Sequence, residues 1–273
     1  MTVSETSWTA YIERLRAVSD EAGRKFKELY EKVQNPLSQD GRKALSYYAF
    51  VLGRDYGEAA AELACEMYDS MVVAEGMAMG RPPGWIDPAV PAATATTHEA
   101  AKTVNGVLKV SQNADEIAGA VSRLVKMVSV DTVLQNAKRD AKKGAQFAWI
   151  PHGDTCPFCI MLASNGWQTS TAKALRNGHA EHVHSNCDCT YGVRFNSQTD
   201  VEGYDPEKYK EQYYAGKNAE YEDKKMSHPE KKQTESRKTL NGMYRQYYQE
   251  NRDKILEQKR IAYAERKELS QNT

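Results

Sequence analysis

WIPHGDTCPFCIMLASNGWQTSTAKALRNGHAEHVHSNCDCTYGVRFN, residues Trp149 to Asn196, holds four of the chain's five cysteines and four of its six histidines. Cys156 and Cys159 form C-x-x-C. Cys187 and Cys189 form C-x-C, with His184 three residues ahead. Paired thiolates in a tight turn, plus a second thiolate pair with an imidazole, are the donor set of a tetrahedral Zn2+ site. Pro157 inside the first pair favours a turn that aims both sulfurs the same way. The window offers Cys156, Cys159, His184, Cys187 and Cys189 for four positions, with His179 and His182 nearby, so at least one donor is surplus. A redox C-x-x-C pair is the competing reading. That motif normally opens a helix after a strand in a βαβ unit, and no such pattern is legible around it. The remaining cysteine, Cys65, reads as a small buried hydrophobe.

Working outward, Gln146–Pro151 and Thr190–Phe195 alternate like short strands, and the spacing predicts that they pair. A helical turn is expected over Cys159–Ser164, ended by Asn165-Gly166, and another turn over Lys173–Leu175. Such a small α+β unit has few apolar residues of its own and is expected to be stapled by its metal.

The residues ahead of it read as helix. Trp8, Tyr11, Ile12, Leu15, Val18, Ala22, Phe26, Leu29 and Val33 recur at three- and four-residue steps until Asn35-Pro36. Ser38 starts a second helix through Leu45, Tyr48, Leu52, Ala59, Leu63, Met67 and Met71. Residues 1–75 are therefore expected as a helical hairpin, with aromatic residues to spare for a partner. Residues 76–97, with Pro82, Pro83, Pro88 and Pro91, read as a linker. A helical block follows over 98–144, with breaks near Asn113 and Ser129, both read as N-caps, and Gly144 as a C-cap. Residues 145–200 form the zinc-binding module and 201–273 a charged tail. The expected fold class is thus mainly α: long N-terminal helices, a small zinc-stapled α+β unit, and a helical C-terminal tail.

Bulk properties exclude several function classes. Lys plus Arg number 37 and Asp plus Glu 37, so no global field steers the chain to nucleic acid or membrane. No stretch approaches the ~20 apolar residues of a membrane span. MTVSETSW lacks the basic and apolar regions of a signal peptide, and clustered cysteines without one point to reduced thiols made in a cytosol. The tail holds nine of the sixteen tyrosines and no Cys, Trp or Phe. Residues 239–269 are expected as a solvated helix, and 231–267, with eleven Lys/Arg against five Asp/Glu, as a stretch able to make weak, non-specific DNA contacts.

The window resembles the Mu F-like family of phage minor head (head morphogenesis) proteins, and the related phage minor capsid proteins. The residues carrying the resemblance are Asp154-Thr155-Cys156-Pro157-Phe158-Cys159 and His182-Val183-His184-Ser185-Asn186-Cys187-Asp188-Cys189. The resemblance covers about residues 1–195, and its specific part is the window. Ser185 stands where many members have Pro, and Asp188 where they have Arg; neither position ligates metal. What the resemblance implies is a low-copy component inside the virion head, made in the host cytoplasm. It would be recruited with the portal and other head proteins and act in DNA packaging or ejection. It implies no catalytic activity and no small-molecule substrate. Two other classes compete: an HNH-like metal-dependent nuclease using His179, His182 or Asn186, and a zinc-stabilised nucleic-acid-binding module. The carboxylates and second metal-binding histidine that a nuclease needs are not evident. No Ser-His-Asp elbow, P-loop or G-x-G-x-x-G is present.

Overall fold

The structure, a computed structural model, describes residues 2–3, 5–152, 155–169 and 189–227, with side chains from residue 8 to residue 217 of these. Residues 1–216 form one compact unit and 217–273 another. The chain is mainly helical, with a small sheet.

The helix α1 (Glu5–Tyr30) buries the predicted stripe: Trp8, Tyr11, Ile12, Leu15, Ala22, Phe26 and Tyr30 all lie in the core. It stops because the 31–37 turn folds back onto the next cap. Ser38 donates its hydroxyl to the Asn35 carbonyl (2.7 Å) and accepts the Gly41 N–H (3.0 Å). A Cβ at Gly41 would meet the Asn35 carbonyl at 2.1 Å, so this turn requires glycine.

Ser38 caps α2 (Gln39–Ala78), a 40-residue helix about 60 Å long. One side of it is small: Ala49, Gly53, Gly57, Ala60, Ala61 and Ala64 are all buried. Two more helices pack on the hairpin. In α3 (Thr97–Leu108), Thr96 and Glu99 cap each other's backbone. In α4 (Ala114–Arg139), Asn113 accepts the Asp115 N–H as expected. The expected break at Ser129 is corrected, since α4 runs straight through it. Ser129 is fully buried and turns its hydroxyl back to the Lys126 carbonyl at 2.7 Å. A hydroxyl satisfied inside its own helix leaves nothing to cap, and the flanking valines stay helical because both sides of α4 are packed. A 3-10 turn (Ala141–Lys143) then ends at Gly144, whose φ of 99° is left-handed, as a C-cap requires.

The segment 76–97, expected as a linker, is held within the first unit. Trp85 donates to the Val72 carbonyl (3.2 Å), and Asp69 accepts the Ala89 N–H (2.8 Å). The Asn136 amide takes both polar groups of Val90, at 2.9 and 2.8 Å. Thr132 accepts the Ala92 N–H (3.0 Å), and Arg139 donates to the Asp87 and Pro88 carbonyls, both at 2.8 Å. A Pro-rich strand with no ladder has no other internal way to satisfy its backbone. Beneath it, Arg139 and Tyr68 share the buried Asp140 carboxylate, at 2.7 and 2.9 Å.

The sheet is β3–β2–β4, antiparallel throughout: β2 is Gln146–Ile150, β3 Gln168–Thr169 and β4 Thr190–Arg194. Trp149 faces Tyr191 and Ile150 faces Thr190, which is the predicted pairing. Both β2 and β4 share one apolar cluster with Trp8 to Leu15 of α1, Ala60 to Val72 of α2 and Val125 to Ala137 of α4. The expected module is therefore not a separate body resting on its metal. A second cluster joins Phe26 of α1, Leu45 of α2, Val104 of α3 and Ile117 of α4.

The tail was expected to be coreless from residue 201, yet Val201 and Tyr204 are buried, and Tyr204 donates its hydroxyl to the Ala163 carbonyl at 2.9 Å. These few anchors vanish in the average composition of 201–273. Near them, β1 (Thr2–Val3) pairs in parallel with β5 (Asp200–Val201), and α6 spans Pro206–Ser227. Residues 228–273, including the expected helix and the basic stretch 231–267, lie outside the described residues, as does the expected turn at 173–175.

Asn136→Ala is expected to lower stability by about 1–3 kcal/mol, since two strap groups lose their partner. Denaturant unfolding measures the loss, and limited proteolysis should show faster cleavage within 86–92.

Candidate metal site at the open end of the sheet

The sheet register decides which ends of the cysteine window meet. Because Ile150 pairs with Thr190, the chain leaving β2 and the chain entering β4 lie at the same end of the sheet. Cys156 and Cys159 follow that exit, and Cys189 stands directly before that entry. The backbone thus brings the two cysteine motifs toward one place across about thirty residues of sequence.

Cys156 opens α5 (Pro157–Ala163). It is the N-cap, its sulfur accepts the Cys159 N–H at 3.4 Å, and Pro157 occupies the first helical turn, where no N–H is needed. Cys159 is fully buried, Cys156 half-buried and Cys189 buried at 5% exposure. None of the three is in a disulfide. C-x-x-C does follow a strand and open a helix, but β2 is antiparallel to both its neighbours, so no βαβ unit surrounds it.

Cys189 belongs to the strand face of Tyr191, two residues on, where Tyr191 packs edge-on to Phe147 and Trp149. The opposite face turns to α1, since the Trp8 ring lies 3.4 Å from a Cβ built on Gly192. Cys159 and Cys189 lie in one apolar cluster, with Cys156 packed against it. Among the described residues no three His, Cys, Asp or Glu side chains converge to hold a metal, so these three thiols are not by themselves a site. His184 and Cys187, the other expected donors, lie outside the described residues, as do His179 and His182. In chemistry, the described thiols suit a soft cation.

The sequence reading missed Glu75, a fully buried carboxylate on α2. Its signal was present as one acid inside the apolar run Met71-Val72-Val73-Ala74-Glu75-Gly76-Met77-Ala78-Met79. The helical stripe alone does not mark that position as buried.

The fold is a helical body with a small sheet and a cysteine-rich end. Residues 2–216 match the VG15 protein family, and the chain belongs to that family, a family of phage gene products. No curated protein matches the chain, and no solved structure does. Among the described residues no helix is long and apolar enough to cross a membrane.

A shared core makes a specific prediction for metal removal. Chelation or Cys159→Ser should leave most of the far-UV helical signal intact while exposing the 151–189 stretch to protease. Loss of the helical signal in chelator would mean that the metal holds the whole unit.

Proposed function

We propose that this protein is a minor structural component of the phage head, recruited with the portal during assembly, and that its role is architectural and not enzymatic. The observation that carries this reading is the C-x-x-C and H-x-x-C-x-C window inside a chain of a phage family, since that window resembles Mu F-like minor head proteins. The family match (2–216) and the first compact unit (1–216) coincide, so the matched sequence corresponds to one folded body.

In this reading one Zn2+ is held by Cys156 and Cys159 with two of His184, Cys187 and Cys189. The ion supplies a cross-link between the exit of β2 and the entry of β4. A closed four-ligand shell leaves no position for an activated water, which argues against the nuclease alternative. The aromatic residues of α1 are not the partner surface, because Trp8, Tyr11 and Phe26 are buried. The portal contact falls instead to exposed apolar groups on α2: Tyr47 at 65%, Val73 at 60% and Met77 at 75% exposure. Residues 231–267 add a weak, sequence-independent contact to packaged DNA.

Three measurements test the proposal. The protein should be found in purified particles, inside the shell, at low copy, with one zinc per chain by elemental analysis. Its absence from particles overturns the head assignment. Co-expressed portal should copurify with the full chain, and Tyr47→Glu with Met77→Glu should weaken that by on the order of 2 kcal/mol if these are anchor positions. Binding to DNA should fall steeply with salt and vanish when the Lys and Arg of 231–267 become Gln, because phosphate contacts release counterions.

A further inference from the structure

Glu75 lies where α2 meets the turn leaving β4, and its two oxygens are treated very differently. Oε2 accepts the N–H groups of both Phe195 (2.8 Å) and Asn196 (2.6 Å). Oε1 faces the buried Thr199 hydroxyl, and neither makes a well-formed hydrogen bond to any group. A carboxylate sealed from water with one oxygen so poorly served is costly, whereas a neutral acid carries its proton on that oxygen and becomes a donor. The Thr199 hydroxyl can serve either form, donating to the carboxylate or accepting from the neutral acid.

The surroundings hold the turn firmly in place. Phe195 is gripped edge-on by Tyr68 (5.6 Å between ring centres) and Trp85 (5.3 Å). The charged and titratable groups packed around Glu75 are few. Arg194 of β4 acts on it, but the guanidinium already serves Gln146 (2.8 Å), the Thr199 carbonyl (3.0 Å) and Asp200 (3.5 Å), and stacks over Trp167. Tyr204 acts on Arg194, and Tyr68 is committed to Asp140.

We propose that Glu75 is a proton-controlled latch: neutral, it closes the 195–201 segment onto α2, and its ionisation loosens that segment together with the β1–β5 pair hung from it. Burial raises the Glu75 carboxyl above the ordinary glutamate range, outweighing the two N–H groups, Thr199 and Arg194, which all favour the charged form. Because the folded value is the higher one, this contribution to stability is complete below the ordinary value of 4.5 and is lost as pH rises through the raised one.

Hydrogen exchange on the full chain, corrected for the intrinsic pH dependence of exchange, reads the latch directly. Protection of amides in 195–201 should fall as pH climbs above the ordinary glutamate value, by up to about tenfold for each unit of the rise in pKa. Glu75→Gln should make that protection flat with pH, since the amide oxygen keeps both N–H groups and its NH2 faces Thr199. A flat profile in the wild type, or an unchanged slope in Glu75→Gln, overturns the proposal. Should Glu75→Gln not fold, the infrared carbonyl band of a buried protonated carboxyl decides on wild-type protein. The band persisting above pH 4.5 supports the latch, and its absence there overturns it.

Discussion

The close approach of α4 to the glycine side of α2 is the constraint on which the rest of the structure depends. A Cβ on Gly53 would sit 3.0 Å from the Leu124 side chain, and one on Gly57 would sit 3.1 Å from Val128. Glycine inside a helix costs about 1 kcal/mol relative to alanine. That cost is offset where leaving out a side chain lets a second helix bury its valines. The same small side brings Thr94 and Ala95 against α2, so the segment after the strap is seated by the same two glycines. With α2 and α4 close, α1 and α3 flank them, and both apolar clusters form along a single 40-residue helix.

The strap shows how a segment rich in proline becomes part of a core. Its backbone has no ladder, so helix side chains supply the partners: Asp69 from α2, and Thr132, Asn136 and Arg139 from α4. The α4 residues fall at intervals of four and three, one face of a helix, which matches the rise of an extended chain crossing it. Arg139 also neutralises the buried Asp140, so the same guanidinium fixes the strap and compensates a charge.

Much of this was legible in the sequence, and the failures have physical causes. The stripe of α1, the Ser38 and Asn113 caps, the left-handed Gly144 and the β2–β4 pairing follow from local rules, and local rules suffice there. Ser129 misled because a serine reads alike whether it caps a helix or bonds back within one; only its burial separates the two. The strap misled because proline content reports on ladder bonding and not on packing. Its partners are Thr132 and Asn136, some forty residues away. Of the candidate donors, spacing picked out Cys156, Cys159 and Cys189, and the sheet register brings their backbones to one end of it. Whether side chains converge on an ion is something spacing does not encode.

The shared core also changes what a metal is needed for. A small module standing alone has to draw its folding energy from its ion. Here Trp149, Ile150, Tyr191 and Val193 are already buried against three long helices. Burying such side chains contributes on the order of 1.5–3 kcal/mol each without any metal. In the connection between β2 and β4, Cys159, Leu162 and Ala163 of α5 join the same cluster and β3 pairs with β2. The connection's sequence from 170 to 188 offers little beyond Ala172, Ala174, Leu175, Ala180 and Val183 to bury, and three of its residues are imidazoles. An ion held by cysteines at both ends of that connection would close it into a loop. The entropy it removes is that of the connection alone. The metal would then shape the surface at the end of the sheet, while the helices hold the sheet itself.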